Sequence, residues 1–168
     1  MRLLYIISIS IFILNNVYAY NLNIQSRLIP KILKYQKYRD YTKSDSKIAI
    51  IANRLNINSA LILKDRLDKN NLYTVINFAD EDINYKDISA IFLFKIDKSK
   101  IVDIVNKANK NNILMFASSK DILSQGAHIY IKLLKKVNIF YNYRSINRSK
   151  ILFELSFLKA VKVFNESN

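Results

Sequence analysis

KIAIIANRLNINSALILKDRLDKNNLYTVINF, Lys47 to Phe78, sets the fold class. Its opening, Lys47 to Asn53, is short, almost wholly apolar and rich in Ile, as expected for a strand covered on both faces rather than one with a wet side. Asn56 follows as a candidate helix cap, and Ala60, Leu63 and Leu67 then recur at helical spacing. Leu72 to Phe78 reads as a second strand. Strand, helix and strand in that order predict a right-handed parallel crossover.

The same alternation continues downstream. Ile88 to Phe94 predicts a third strand, and Asp97 or Ser99 caps a helix to about Lys110 with Ile101, Ile104, Val105 and Ala108 on one face. Ile113 to Ala117 predicts a fourth strand, and Ser118 or Ser119 opens a short helical turn ending near Gln125. Upstream, Ile24, Leu28, Ile32 and Tyr35 form the apolar stripe of a first helix, with Pro30 tolerated or marking its first turn. Residues 39–46 are polar and predict a loop. Alternating β and α elements imply a sheet with helices on both faces.

At Gly126, the sole glycine of 168 residues, the pattern changes. A residue that tolerates positive φ fits a place where a short helix stops and the chain turns. Beyond it, Ile129, Ile131 and Leu133 alternate with Tyr130, Lys132 and Leu134, and a second period-2 run covers Val137 to Asn142. Joined through Lys135 and Lys136, the two runs predict an antiparallel hairpin on the sheet edge, with a loop longer than two residues because Lys-Lys lacks tolerance for positive φ. A polar turn over Arg144 to Arg148 and a final helix from Ser149 to Val163 follow, with Ile151, Leu155, Leu158 and Val161 as its buried stripe. The expected architecture is one α/β domain: a three-layer α/β/α sandwich, its sheet mostly parallel, with a C-terminal antiparallel edge hairpin and a final helix.

The N-terminus predicts export. Arg2, an apolar run from Leu3 to Leu14 and Val17-Tyr18-Ala19 before Tyr20 have the order of a secretory signal, and that run is short of the roughly 20 residues that span a bilayer. Residues 1–19 are therefore expected to be removed, residues 20–168 to form the domain, and the periplasm to be its compartment, without membrane insertion. No cysteine is present, so stability must come from packing and hydrogen bonds.

Several chemistries lack their residues. The turn after the first strand, IIANRLNIN, has no glycine to let backbone approach a phosphate, which argues against a nucleotide cofactor. With His128 as the only histidine and no cysteine, triads and paired-histidine metal sites are excluded. Asp80-Glu81-Asp82 lacks the spaced ligands of a calcium loop and reads as a solvated turn. The formal charge of +14 invites an anionic partner, yet the lysines are dispersed, with no run longer than two, which favours a solvated surface over nucleic-acid binding. No catalytic, cofactor-binding or metal residue is expected. Tyr35, Tyr38 and Tyr41, with Lys34, Lys37 and Arg39, form the one aromatic and basic cluster of the kind that partner surfaces carry.

The C-terminal third resembles the YfiR/HmsC family of exported bacterial regulators. The residues that carry the resemblance are Gly126-Ala127-His128-Ile129, then Val137 to Asn142, then Ser149 to Val163 with Leu158. The resemblance gives Gly126, Ile129, Asn142 and Leu158 structural family roles. It implies a periplasmic α/β domain without enzymatic activity that binds and represses the periplasmic part of a membrane signalling protein, a diguanylate cyclase, and so lowers cyclic-di-GMP output and biofilm formation. Homodimerisation is left open. Relatives often carry cysteines and further glycines, which this chain lacks. The positive charge and the α/β scaffold also leave a periplasmic small-molecule or anion-binding domain open, with its ligand at the strand ends.

Overall fold

The structure, a computed structural model, describes residues 21–37, 47–133 and 135–164. Residues 1–19, expected to be a leader, and three of the six positions of the aromatic and basic cluster, Tyr38, Arg39 and Tyr41, lie outside them. Helix α1 covers 21–34. Then come β1 (Lys47–Ala52), a 3-10 turn (Arg54–Asn56), α2 (Ile57–Asp68), β2 (Tyr73–Phe78), β3 (Ile88–Leu93), α3 (Lys98–Lys110), β4 (Leu114–Ala117) and α4 (Lys120–Ser124). The chain continues through β5 (Ile129–Leu133), β6 (Val137–Tyr141), α5 (Tyr143–Arg148), α6 (Leu155–Ala160) and β7 (Lys162–Val163).

Among the described residues seven strands form one sheet in the order β2-β1-β3-β4-β5-β6-β7. The pairs from β2 to β5 are parallel, β5 and β6 are antiparallel, and β7 adds two parallel residues outside β6. Residues of β1 go alternately to two cores: Ile48, Ile50 and Ala52 face α1 and α2, whereas Ala49 and Ile51 face α3 and α4. The same division separates Phe92 from Ile91 and Phe116 from Met115. Both faces of these strands are thus dry, which is why their sequences show apolar runs instead of alternation. The three-layer α/β sandwich expected from the sequence is the fold.

Asn71 (φ 60), Asn112 (φ 55) and Gly126 (φ 110) end α2, α3 and α4 by one device. In each, the residue after the left-handed one donates its N–H five residues back: Leu72 to Leu67 O, Ile113 to Ala108 O, Ala127 to Ile122 O. These are Schellman caps. Asparagine suffices at two of them, but at 126 a Cβ would stand 2.8 Å from Val105 Cγ1, so only glycine fits.

Four expectations need correction. The helix α1 ends at residue 34, short of the expected Tyr35. At Pro30 the first of the two alternatives holds: the helix runs through it, because burial of Ile29, Ile32 and Leu33 on the sheet outweighs the roughly 3 kcal/mol that an interior proline costs. The segment Arg144 to Arg148 is helical, within α5, since buried Asn142 accepts from Ser145 N at 3.2 Å and caps it. Asn56 gives α2 no side-chain cap; Asn53 instead caps the 3-10 turn by accepting from Leu55 N and Asn56 N.

The fourth correction is the largest. The expected helix from Ser149 to Val163 is broken: Lys150 takes φ 53, residues 151–154 are not helical, and only Leu155–Ala160 forms α6. Leu155 and Leu158 are exposed, and the buried ring is Phe157. Aromatic packing decides this, because Phe157 lies 4.7 Å from Phe153 and 5.7 Å from Tyr35 between ring centroids, and Phe153 meets Tyr141 edge-on at 6.2 Å. Four rings fill the space between α1 and β6, and the leucines turn outward.

Candidate functional site

The order β2-β1-β3 reverses the winding direction at β1, and in such sheets ligands bind beyond the strand ends at that reversal. Here the opening between β1 and β3 is bridged by the chain itself. Asn56 Nδ2 donates to Lys95 O at 2.8 Å, Asn53 Nδ2 reaches the same oxygen at 3.4 Å, and Asn56 Oδ1 accepts from Asn53 N at 2.9 Å. The N–H groups that a phosphate would need are occupied by asparagine oxygens, in agreement with the missing glycines.

Beside this bridge a crevice of about 290 Å3 remains, lined by Asn53, Arg54, Leu55, Phe78, Ile96 and Lys100, with Asp80 and Asp97 on its rim. It continues into a neighbouring hollow of about 250 Å3 containing Tyr85 and Asp103. Burial, then the carboxylates of Asp103 and Asp82, push the Tyr85 hydroxyl up to about 12, so it remains a proton donor. Among the described residues no group of three or more His, Asp or Glu side chains is placed to hold a metal ion.

His128 is fully buried between β4 and α3. Its Nδ1 accepts from Met115 N at 3.0 Å, which places the ring proton on Nε2, and that N–H donates to Asn109 Oδ1 at 2.8 Å. Burial lowers its pKa to about 3. A neutral imidazole with both nitrogens engaged joins a strand edge to a helix and is shielded from any substrate.

The residues named by the family resemblance divide in two. Gly126 ends α4, Ile129 is fully buried in β5, and Asn142 joins three elements by capping α5, donating its Nδ2 to Leu123 O at 2.9 Å and its N to His128 O at 2.8 Å. Those three are structural. Leu158 is on the surface, on a face that also carries Leu155 at i−3.

Of the aromatic cluster, the described member Tyr35 meets that same face. Lys37 N donates to Leu152 O at 2.8 Å and Glu154 N donates to Tyr35 O at 2.9 Å, so the end of α1 and residues 152–158 are one surface. On it Tyr35, Leu152, Leu155 and Leu158 are 39%, 54%, 65% and 36% exposed. The sequence reading placed two of these leucines in the core and therefore missed the patch; the competing i, i+4 pair Phe153 and Phe157 was the signal that pointed to it.

No helix of the described residues is long and apolar enough to cross a membrane. No protein-family model matches the chain, and no curated protein does. Solved structures that share its fold include a conserved domain protein from Vibrio cholerae (TM-score 0.62, 14% identity) and an ABC domain from Streptococcus pneumoniae in complex with L-Trp (TM-score 0.62, 12% identity). Each alignment covers 86% of this chain and 60% of the other, so this chain spans less than two thirds of either neighbour. At such identities the likeness is one of fold.

Proposed function

We propose that this protein is a non-enzymatic periplasmic regulator that binds the outer part of a membrane signalling protein through the surface formed by Tyr35, Leu152, Leu155 and Leu158. The observation that carries the reading is that patch. Contiguous apolar side chains left outside a well-filled core mark interaction surfaces, because their burial against a partner is favourable only once the partner is present. The resemblance of Gly126 to Val163 to the YfiR/HmsC family supplies the partner class, a diguanylate cyclase. Regulation then follows from occupancy, since a protein that binds one conformation of its partner more tightly shifts the population toward it.

The test is capture from detergent-solubilised membranes of the source cell. The wild-type chain is expected to retain a membrane protein with a cyclase domain, and Leu155→Asp/Leu158→Asp to lose it while keeping its melting temperature. Recovery of no such protein, or equal recovery by the variant, overturns the reading.

A second reading has its own observation. The strand-end crevice is lined by Arg54 and Lys100, by Asp80 and Asp97 and by apolar Phe78 and Ile96, a composition that suits a small zwitterion or anion. The pneumococcal neighbour of the same fold is described in complex with L-Trp. Thermal-shift screening against amino acids and small anions tests it, since a ligand at a hundred times its Kd adds about 2.7 kcal/mol of stability.

A further inference from the structure

The charge of the chain is segregated in a way that its dispersed lysines conceal. Between Asp65 and Asp103 stand eight of the 13 acidic residues against six basic ones. From Lys120 to Lys162 there are nine basic residues and two acidic, and from 21 to 37 four basic and none acidic. A compositional preference for lysine would not divide the carboxylates this way. The fold then brings the two basic stretches together, because Gln36 bridges Phe153 and Lys37 N bonds Leu152 O.

On α1 the cations are periodic. Arg27, Lys31 and Lys34 are exposed at i, i+4 and i+7, opposite buried Ile29, Ile32 and Leu33. Lys37 and Lys150 line one crevice of about 360 Å3 where α1 meets the break before α6. Lys159 follows on α6, exposed beside Leu158. By contrast the carboxylates of the other half are partly neutralised at home, in the pairs Lys47–Asp87, Lys64–Asp68, Lys69–Asp65 and Lys107–Asp103.

We infer that this face, Arg27, Lys31, Lys34, Lys37, Lys150 and Lys159 around Tyr35 and Leu155, rests on an anionic phospholipid surface. Five of the six cations are lysines, compact charges on flexible stems. Such groups suit a fluid array of headgroups, whereas a fixed protein carboxylate is matched best by the rigid fork of arginine. Exposed leucines and a tyrosine among long basic side chains are the composition of interfacial contacts, in which apolar groups enter the headgroup boundary and the cations remain at its surface. Peripheral contact of this kind needs no spanning helix. Lipid contact and the proposed partner surface share Tyr35 and Leu155 and so exclude one another there, and the inference does not rest on that partner's identity.

Sedimentation of the full chain with phospholipid vesicles, no other protein present, tests this apart from the regulator reading. The chain is expected to sediment with vesicles of equal phosphatidylglycerol and phosphatidylcholine, to be released by high salt, and to bind pure phosphatidylcholine far less. Because each basic residue near an anionic bilayer strengthens binding about fivefold, Lys31→Glu/Lys34→Glu/Lys150→Glu should weaken it at least about a hundredfold. Arg27→Gln/Lys37→Gln/Lys159→Gln provides a second variant should the first fold poorly. Equal binding to both vesicle types, or unchanged binding by the folded variants, overturns the inference. It is overturned equally if vesicles are ignored while the charge variants lose partner capture, which assigns the face to an acidic protein surface, or if duplex DNA is bound in preference to vesicles at the same salt.

Discussion

A Cβ added to Gly126 would stand 2.8 Å from Cγ1 of Val105, at a backbone φ of +110. Two separate costs therefore meet there: a left-handed conformation that side chains resist, and a collision with a branched residue of α3 that is held in the core by Ile101, Ile104 and Ala108. Gly126→Ala is expected to destabilise by about 2–4 kcal/mol in urea unfolding, and Gly126→Val more. Adding Val105→Ala removes only the collision, so the double variant should be more stable than the sum of the single effects by about 1 kcal/mol. Strict additivity would show that the conformational cost stands alone.

Burial of His128, whose Nδ1 accepts from Met115 N at 3.0 Å, makes stability depend on pH. The folded chain holds His128 neutral down to about pH 3, whereas the unfolded chain takes up a proton below about pH 6.5. Its contribution is therefore complete above pH 6.5 and is lost as pH falls from there toward 3, by at most about 1.4 kcal/mol per unit. Between pH 7.5 and 4.5 the wild type should lose up to about 3 kcal/mol through this group. His128→Gln, which cannot titrate, should flatten that part of the curve. A wild-type profile that matches His128→Gln across the window would contradict the buried, neutral assignment.

Lys150 at φ 53 sits in a conformation that asparagine or glycine occupies at the ends of α2, α3 and α4. Its side chain is exposed, so little packing depends on it. Lys150→Gly is expected to raise stability by up to about 1 kcal/mol, a gain limited by the larger unfolded-state entropy of glycine. A loss of stability would mean that the lysine side chain makes a contact outweighing its backbone strain.

What the sequence made legible follows from how each element is buried. Strands such as Ile48 to Ala52 and Ile88 to Leu93 are covered on both faces, so their order and parallel pairing are written as apolar runs between helical stripes. Gly126 was legible for a similar reason, since one glycine in a chain that uses Asn71 and Asn112 at other helix ends has to answer a steric demand. The C-terminus was not. Ile151, Leu155, Leu158 and Val161 have the spacing of a core-facing stripe that competes with the i, i+4 pair Phe153 and Phe157, and nothing local decides between them, because the aromatic pair claims the core through Tyr35 and Tyr141, of which Tyr35 is far away in sequence. The apolar patch was hidden by that same ambiguity. The basic face was hidden differently: its residues are present in the sequence, but only the fold joins the end of α1 at 35–37 to 152–154.

Phe157 and Leu158 are neighbours whose roles the two readings of the C-terminus exchange, and this makes them decisive. In the structure Phe157 stacks on Tyr35 and packs at a tilt against Phe153 while Leu158 is exposed. Phe157→Ala should therefore cost about 3–5 kcal/mol, the range for emptying an aromatic site in a core. Leu158→Ala should cost well under about 1 kcal/mol, as exposed positions do. A continuous helix with Ile151, Leu155, Leu158 and Val161 inward predicts the reverse order. Urea midpoints of the two variants at one pH separate these outcomes. They also bear on the proposed partner surface, because a large stability loss at Leu158 would place that leucine inside the core and remove the centre of the patch.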